Sequence, residues 1–434
     1  TIILQATGNI TFASDFDMAT ATGNTDVNLV AQADGNITVN NGIAISATGT
    51  GFLHFEADSP EAPGGSDGGG NITLSNSGST LTTAGGHITL IANQFSLAAD
   101  VNAGAGAISI ARTNNDSLQI NGGGADLTDT DIGHLKTTGT LTIGQALSAG
   151  PAGDGVSPTT VTVSSIKFTG DTTIASASGT KVQFIANDDV LFDQNNVDLI
   201  TNQVTVINAD ADANDNNGEL DLATRDNTTI NTNEFALSII ANDVLINTTG
   251  GKQGSISSGA ATTTITDSDG TGIGLGGTTI TNGLNITDLE LNQITTVSLT
   301  LNTAGNITVD GITDVNSTNV NAVTLNATGI ASSTGAITFA TGASVFNDSL
   351  TANATQGISD SVDITSTTGA ITLNGDSNNS NDPGTDALSF TGTRTLKAAT
   401  DMTLSAFNGG ISAADLTLTI DSDNNGTNTL NIND

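Results

Sequence analysis

The chain has no cysteine, no tryptophan and no tyrosine, and its 3% aromatic content consists of 13 phenylalanines. Without cysteine there are no disulfide staples, thiolate metal sites or cysteine nucleophiles, although the redox compartment stays open. Without Trp and Tyr, a concave site that grips sugars or proteins through aromatic anchors is disfavoured. Cations are scarce too: 8 Lys+Arg stand against 44 Asp+Glu, a net charge of −36. That leaves too little positive charge to neutralise phosphates, which argues against nucleic acid or an anionic membrane as partner. Apolar runs are short, as in Ile239-Ile240-Ala241, far below the ~20 residues that span a bilayer. The chain opens on Thr1, and no basic segment with an apolar run precedes the first strand-like stretch. Any signal peptide is therefore expected to have been removed, or the chain is an excerpt of a longer polypeptide.

Disorder is the obvious alternative for a polar sequence with 51 glycines. The net charge nevertheless amounts to only about 0.08 per residue, with mean hydropathy near zero, so enough apolar surface is present to build a core. That surface recurs in a short phrase: Gly, a polar or small residue, then apolar-Thr-apolar. Copies stand at Gly8-Asn9-Ile10-Thr11-Phe12, Gly35-Asn36-Ile37-Thr38-Val39, Gly70-Asn71-Ile72-Thr73-Leu74 and Gly86-His87-Ile88-Thr89-Leu90. Others are Gly106-Ala107-Ile108-Ser109-Ile110, Gly139-Thr140-Leu141-Thr142-Ile143, Gly305-Asn306-Ile307-Thr308-Val309, Gly335-Ala336-Ile337-Thr338-Phe339 and Gly369-Ala370-Ile371-Thr372-Leu373. The glycines of neighbouring copies are spaced 27, 35, 16, 20, 30 and 34 residues apart.

Within each copy, apolar residues alternate with Thr, Ser or Asn at period two, which is the pattern of a strand with one buried face. No stretch of ten to fifteen residues carries a helical period, and β-branched residues abound. A unit of roughly 20 to 35 residues cannot bury its apolar face alone, so units must stack on one another. The expectation is an all-β fold: a single continuous parallel β-solenoid over residues 1–434, built from irregular coils. Roughly 12 to 22 coils about 4.8 Å apart would make a rod on the order of 60 to 100 Å long. Asn repeated at the strand entry would add a side-chain amide ladder or simply face water. Loops should leave the stack near 56–69, 149–158, 210–218 and 375–383, where Pro, Gly, Asp and Asn cluster. An immunoglobulin-like array would show larger core aromatics and a repeat near 100 residues.

The Gly-Asn-Ile-Thr-Val/Leu and Gly-Ala-Ile-Thr-Leu phrases resemble the repeat region of filamentous haemagglutinin-like large exoproteins, adhesins exported by two-partner secretion. The resemblance covers residues 1 to about 150 and 270–434 best. It implies a right-handed parallel β-helix on a bacterial surface, used for attachment or biofilm contacts, with little chemistry of its own. The family's amino-terminal secretion domain is not recognisable in this chain.

Catalysis on such a scaffold would need clustered chemistry. The eight cations, Arg112, Lys136, Lys167, Lys181, Arg225, Lys252, Arg394 and Lys397, are scattered, and His54, His87 and His134 occupy different repeat positions. A non-enzyme is therefore expected, with a polysaccharide-acting β-helix enzyme as the distant alternative. His87 fills a slot where Asn stands elsewhere, so it should point outward. Calcium is the better chemical candidate. Asp421, Asp423 and Asn425 match the first half of an Asp-x-Asp-x-Asn-Gly loop, although Ile432 replaces the closing Glu. Asp210, Asp212 and Asn214, followed by Asp221, show the converse defect, with Asp215 where Gly belongs. Asp267-Ser268-Asp269-Gly270 is a shorter echo, and solvated acidic turns are the bland reading of all three. No cofactor is required beyond such an ion. Outward Thr residues (Thr11, Thr38, Thr73, Thr308, Thr338, Thr372 among them) would line up as a ladder, but uneven spacing argues against a flat, regular array of the ice-binding kind.

The sequence therefore points to a secreted, extracellular, non-enzymatic adhesin or stalk rod. The alternative is a structural subunit of a filament, sheath or surface layer. Its expected partners are other surface molecules or copies of itself, joined end to end or laterally, with no nucleic acid and no membrane insertion.

Overall fold

A computed structural model describes the chain except residues 19–25, 60–68, 77, 149–158, 176, 214–216, 251, 278, 282, 330–333, 381–385, 421–428 and 434. Strand makes up 54% of it and helix 4%, and nearly all strand pairs run parallel, as a β-solenoid requires. The chain groups into two compact units: residues 1–212 with 229–233, and residues 213–228 with 234–434.

In the first unit each early coil gives one strand to each of three sheets. Ile2–Ala6, Leu29–Ala33, Leu53–Ala57, Ile88–Ile91, Ile108–Ala111 and Thr140–Ile143 pair in sequence in one sheet. Ile10–Phe12, Ile37–Val39, Asn71–Leu74 and Gln94–Leu97 form the second. Phe16–Asp17, Ala44–Ala47, Thr80–Thr83, Val101–Asn102 and Leu135–Lys136 form the third. Inward residues stack in rows: Leu53, Ile88, Ile108 and Leu141 lie in register and are fully buried. Each such side chain contributes about 1.5–3 kcal/mol, and a polar replacement in the row would break it.

The repeated phrase is not confined to one sheet. Ile10, Ile37 and Ile72 align in the second sheet, whereas Ile88, Ile108 and Leu141 align in the first. The 16-residue spacing between Gly70 and Gly86 therefore runs from one sheet to the next within the winding and is not a full coil. The glycines that open the first-sheet copies stack as a column. A Cβ on Gly106 would collide with the Gly86 carbonyl oxygen, and one on Gly139 would press against that of Gly106, so only Gly allows these corners to approach.

The second unit repeats the plan with longer strands. Leu237–Ala241, Ser255–Asp267, Ile294–Thr303, Ala322–Ala327, Ser349–Ala354, Ile371–Asn374, Met402–Ser405 and Leu430–Asn433 pair in parallel order. A second sheet runs through Gly272–Gly276, Asn306–Asp310, Ile337–Phe339, Ile358–Asp360, Leu388–Ala398 and Ile411–Ile420. Register shifts in two of these long pairs, between Ser257 and Thr262 and between Phe390 and Thr393, and the remaining pairs stay in register.

Three local features depart from a plain stack. Short helices at Asp129–Gly133 and Asp288–Leu291 each carry a capping box, Thr128 with Asp131 and Thr287 with Glu290, which satisfies their first free amides. Gln145–Leu147 and Thr160–Phe168 pair antiparallel at Gln145–Thr162, Ala146–Val161 and Leu147–Thr160, against the parallel rule. That hairpin lays Ala146 and Val161 on Ile91 and Ala111, on the outer side of the first sheet. The expected loop at 149–158 lies outside the described residues. The loop expected from residue 56 begins later, because Glu56 and Ala57 complete the strand Leu53–Ala57 and are buried.

Candidate functional site

Of the six calcium candidates, Asp421, Asp423, Asn425 and Asn214 lie outside the described residues. Asp210 is 2% exposed, and its own N–H donates to Asn208 Oδ1 at 3.1 Å. Asp212 is exposed. Asp221 belongs to the other unit and closes its own turn, accepting from the N–H groups of Ala223 at 2.7 Å and Thr224 at 2.9 Å. The shorter echo also turns inward: Asp267 is buried, and its Oδ2 accepts from Gly272 N–H at 2.9 Å and Thr303 Oγ1 at 2.6 Å. Burial raises its carboxyl above the usual range despite those donors. Among the described residues, no group of three or more His, Asp or Glu side chains is placed to hold a metal ion.

Many acids and amides instead staple one coil to the next. Asn9 Oδ1 accepts from Asn36 N–H at 2.7 Å, and Asn36 Oδ1 from Asn71 N–H at 2.9 Å. Asp26 does the same for Thr50 N–H (2.9 Å), Asp129 for Thr173 (2.9 Å), Asp288 for Thr313 (2.8 Å) and Asp363 for Thr395 (2.8 Å). Each such acceptor satisfies a backbone amide of the neighbouring coil, and a carboxylate makes the bond stronger. The strand-entry Asn thus caps backbone, and forms no amide ladder at that position.

The side-chain amide ladder lies elsewhere, in the second unit. Asn326 Nδ2 donates to Asn302 Oδ1 at 2.8 Å, and Asn353 Nδ2 to Asn326 Oδ1 at 2.9 Å. One alternation upstream, Thr264, Thr300, Thr324, Thr351, Thr372 and Thr403 stand in exact-step register on six successive coils. Of the Thr residues in the repeated phrase only Thr372 belongs to this row, and the register is regular from Thr262 onward, beyond the shifts that Ser255–Asp267 makes against Ile294–Thr303.

A buried polar group lies on the outer side of the first unit. Gln5 donates to Gln32 at 2.9 Å and Gln32 to Glu56 at 3.3 Å along one register row. Glu56 Oε2 also meets His54 Nε2 at 3.1 Å, and Ser148 donates to Oε1 at 3.0 Å. His54 and Glu56 are 4% and 1% exposed. Period-two spacing put both on one face, yet nothing in the local sequence announced that residues 145–148 would cover them. Ser, His and Glu are all present, but Ser148 bonds the carboxylate and not the imidazole. The imidazole is therefore not positioned to draw a proton from that hydroxyl, as nucleophilic catalysis requires. His87 is exposed, as expected, and stacks on Phe52 with ring centroids 4.9 Å apart. Partial burial, with a smaller contribution from His54, lowers its pKa. His134 pairs separately with Asp100 at 2.9 Å.

One open cleft of about 560 Å³ lies in the first unit, lined by Gln119, Thr169, Asp171, Asp193, Asn195 and Asn196 among others. No aromatic and no cation lines it, and Asp171 Oδ1 already accepts from Asp198 N–H at 3.1 Å. Such a lining can hydrogen-bond water or a neutral polyol but offers nothing to neutralise a uronate. No helix among the described residues is long and apolar enough to cross a membrane.

Fold and surface together define a parallel β-solenoid whose polar side chains chiefly bind its own coils to one another. No protein-family model matches the chain, and neither does any curated protein or solved structure.

Proposed function

We propose that this chain is part of a secreted, non-enzymatic rod at a cell surface, an adhesin or stalk that mediates attachment or biofilm contacts. The observation that carries the reading is the use of its chemistry-bearing residues. Carboxylates and amides that would build a site in an enzyme are here bonded to the backbone of the neighbouring coil. What faces outward is a repetitive polar surface, suited to many weak contacts. The resemblance of the Gly-Asn-Ile-Thr phrases to large exoprotein adhesins supports the same reading, as does a net charge of −36, which favours solubility. Calcium belongs to this proposal as an ion held by Asp421, Asp423 and Asn425 and condensed on the acidic surface.

The test is display of the chain on a non-adherent cell. Retention on surfaces or on sister cells supports the proposal, whereas unchanged retention together with turnover of an acidic polysaccharide would replace it with the enzymatic reading. A filament or surface-layer subunit is the second reading. It draws on Leu430 and Ile432, which continue the inward rows of Met402 and Leu404 and present apolar surface, 44% and 55% exposed, that a neighbouring copy would cover.

A further inference from the structure

Six successive coils of the second unit present two outward rows side by side. One is Thr264, Thr300, Thr324, Thr351, Thr372 and Thr403; the other is Thr266, Asn302, Asn326, Asn353, Asn374 and Ser405. All twelve side chains are partly exposed, and none is charged. In a chain carrying 44 acids a charge-free field of this extent is the feature that needs explaining. Of the acids that flank these strands, Asp267 and Asp376 are buried, Asp269 and Asp348 are half-buried, and Asp401, at the entry to the last strand, is exposed.

The face is also stiff. Its inward neighbours Leu301, Leu325, Ala352, Leu373 and Leu404 are buried, Thr is restricted at χ1, and the central amides are fixed by the Asn302–Asn326–Asn353 bonds. Little side-chain entropy remains to be lost on contact.

We infer that this Thr/Asn face is where a second copy of the chain docks, face to face, with the two polar rows packed against their counterparts. Charge selects the occupant. Two molecules of −36 repel, and they come together at least cost where no carboxylate lies within the contact itself. A cationic partner would find no charge to bind here, and a sugar ring would find no aromatic to stack on. An identical face offers matching repeats along both directions, as in the Asn-laddered sheet interfaces of stacked β-structures. Its area, roughly 28 by 12 Å, gives about 700 Å² over two copies, below a standard specific interface and in the range of weak, reversible contacts. The inference rests on the surface-rod reading and supplies that reading with a means of holding neighbouring rods together.

Sedimentation over a concentration series tests it. Wild type should dimerise reversibly, and the dimer fraction should rise with added salt, because salt screens repulsion without weakening an uncharged interface. The double substitution T324E/T351E should abolish the dimer while leaving the thermal melt in place, and T338E, on the other sheet, should leave the dimer intact. Since the chain has no cysteine, a spin label at T351C gives a second reading: labels in the dimer should couple strongly at 351 and not at T338C. The inference is overturned by a wild type that stays monomeric at high salt, by a T324E/T351E variant that dimerises as wild type does, by coupling at 338 alone, or by a monomer that partitions into growing ice through this face. A strictly monomeric chain that still mediates attachment removes the inference and leaves the rod reading. A dimer retained inside cells does the reverse.

Discussion

Asn353 donates its side-chain amide to Asn326 Oδ1 at 2.9 Å across a single coil step of 27 residues. Asn326 passes the bond on to Asn302 at 2.8 Å, across a step of 24. Coils of unequal length thus place identical residues opposite one another, and the bond can form only if the surplus residues leave at the corners.

Asn326→Ala removes the middle of this ladder and leaves two amide groups without their partner. At about 0.5–1.5 kcal/mol per hydrogen bond, the loss should be about 1–3 kcal/mol, read as a lower denaturation midpoint at unchanged slope. Thr338→Ala, outside the ladder, should cost less. Equal effects from the two would remove the ladder's energetic role.

Asp360 sits in register between Phe339 and Phe390 and is fully buried. Its Oδ1 accepts from Val362 N–H at 3.0 Å, while Oδ2 has no partner. Burial raises its pKa to about 6, against the opposing effects of that N–H and of Arg394. A raised acid favours folding in its protonated form. Its contribution is complete below the unfolded value near 4 and is lost as pH rises through about 6. Asp360→Asn should therefore stabilise the protein by about 2 kcal/mol at pH 8, with the gain gone by pH 4. A pH-independent difference between the two proteins would contradict this assignment.

Glu56→Ala removes the buried carboxylate that His54, Gln32 and Ser148 meet, which should cost about 1–3 kcal/mol. Ser148→Ala should cost about 1 kcal/mol and should speed amide exchange at Gln145–Leu147 more than in the sheet beneath. Uniform acceleration throughout the first unit would mean that the hairpin is not a separate cover.

Calcium, as proposed for Asp421, Asp423 and Asn425, should raise the melting temperature at millimolar concentration, and chelator should lower it. The pair D421N/D423N should abolish the response. Identical melts in calcium and chelator would take the ion out of the account.

Much of the coil stack was legible in the sequence, because period two and a recurring apolar-Thr-apolar phrase say which side chains turn inward. The winding itself was less legible. Ile72 and Ile88 carry the same phrase but belong to different sheets, since any half-buried strand converges on that pattern. Thr128-x-x-Asp131 and Thr287-x-x-Glu290 were readable capping signals, hidden by the shortness of the helices that follow. The cluster around Glu56 was not readable at all: its cover arrives from residues 145–148, some 92 positions away, and no local pattern encodes that distance. The acidic turns proved ambiguous because an Asp that caps a neighbouring coil and an Asp that awaits a cation have the same sequence neighbours.

The register of successive coils is tested most directly by pairwise cysteine crosslinking, in a background that contains no cysteine of its own. Thr324 and Thr351 face each other on adjacent coils, about 4.8 Å apart, within disulfide reach, whereas Thr324 and Thr372 are two coils apart, at about twice that distance and beyond it. In the monomer fraction, T324C/T351C and T351C/T372C should link readily on mild oxidation while T324C/T372C stays reduced. Efficient linking of T324C/T372C, or none for T324C/T351C, would contradict the coil stack on which the account is built.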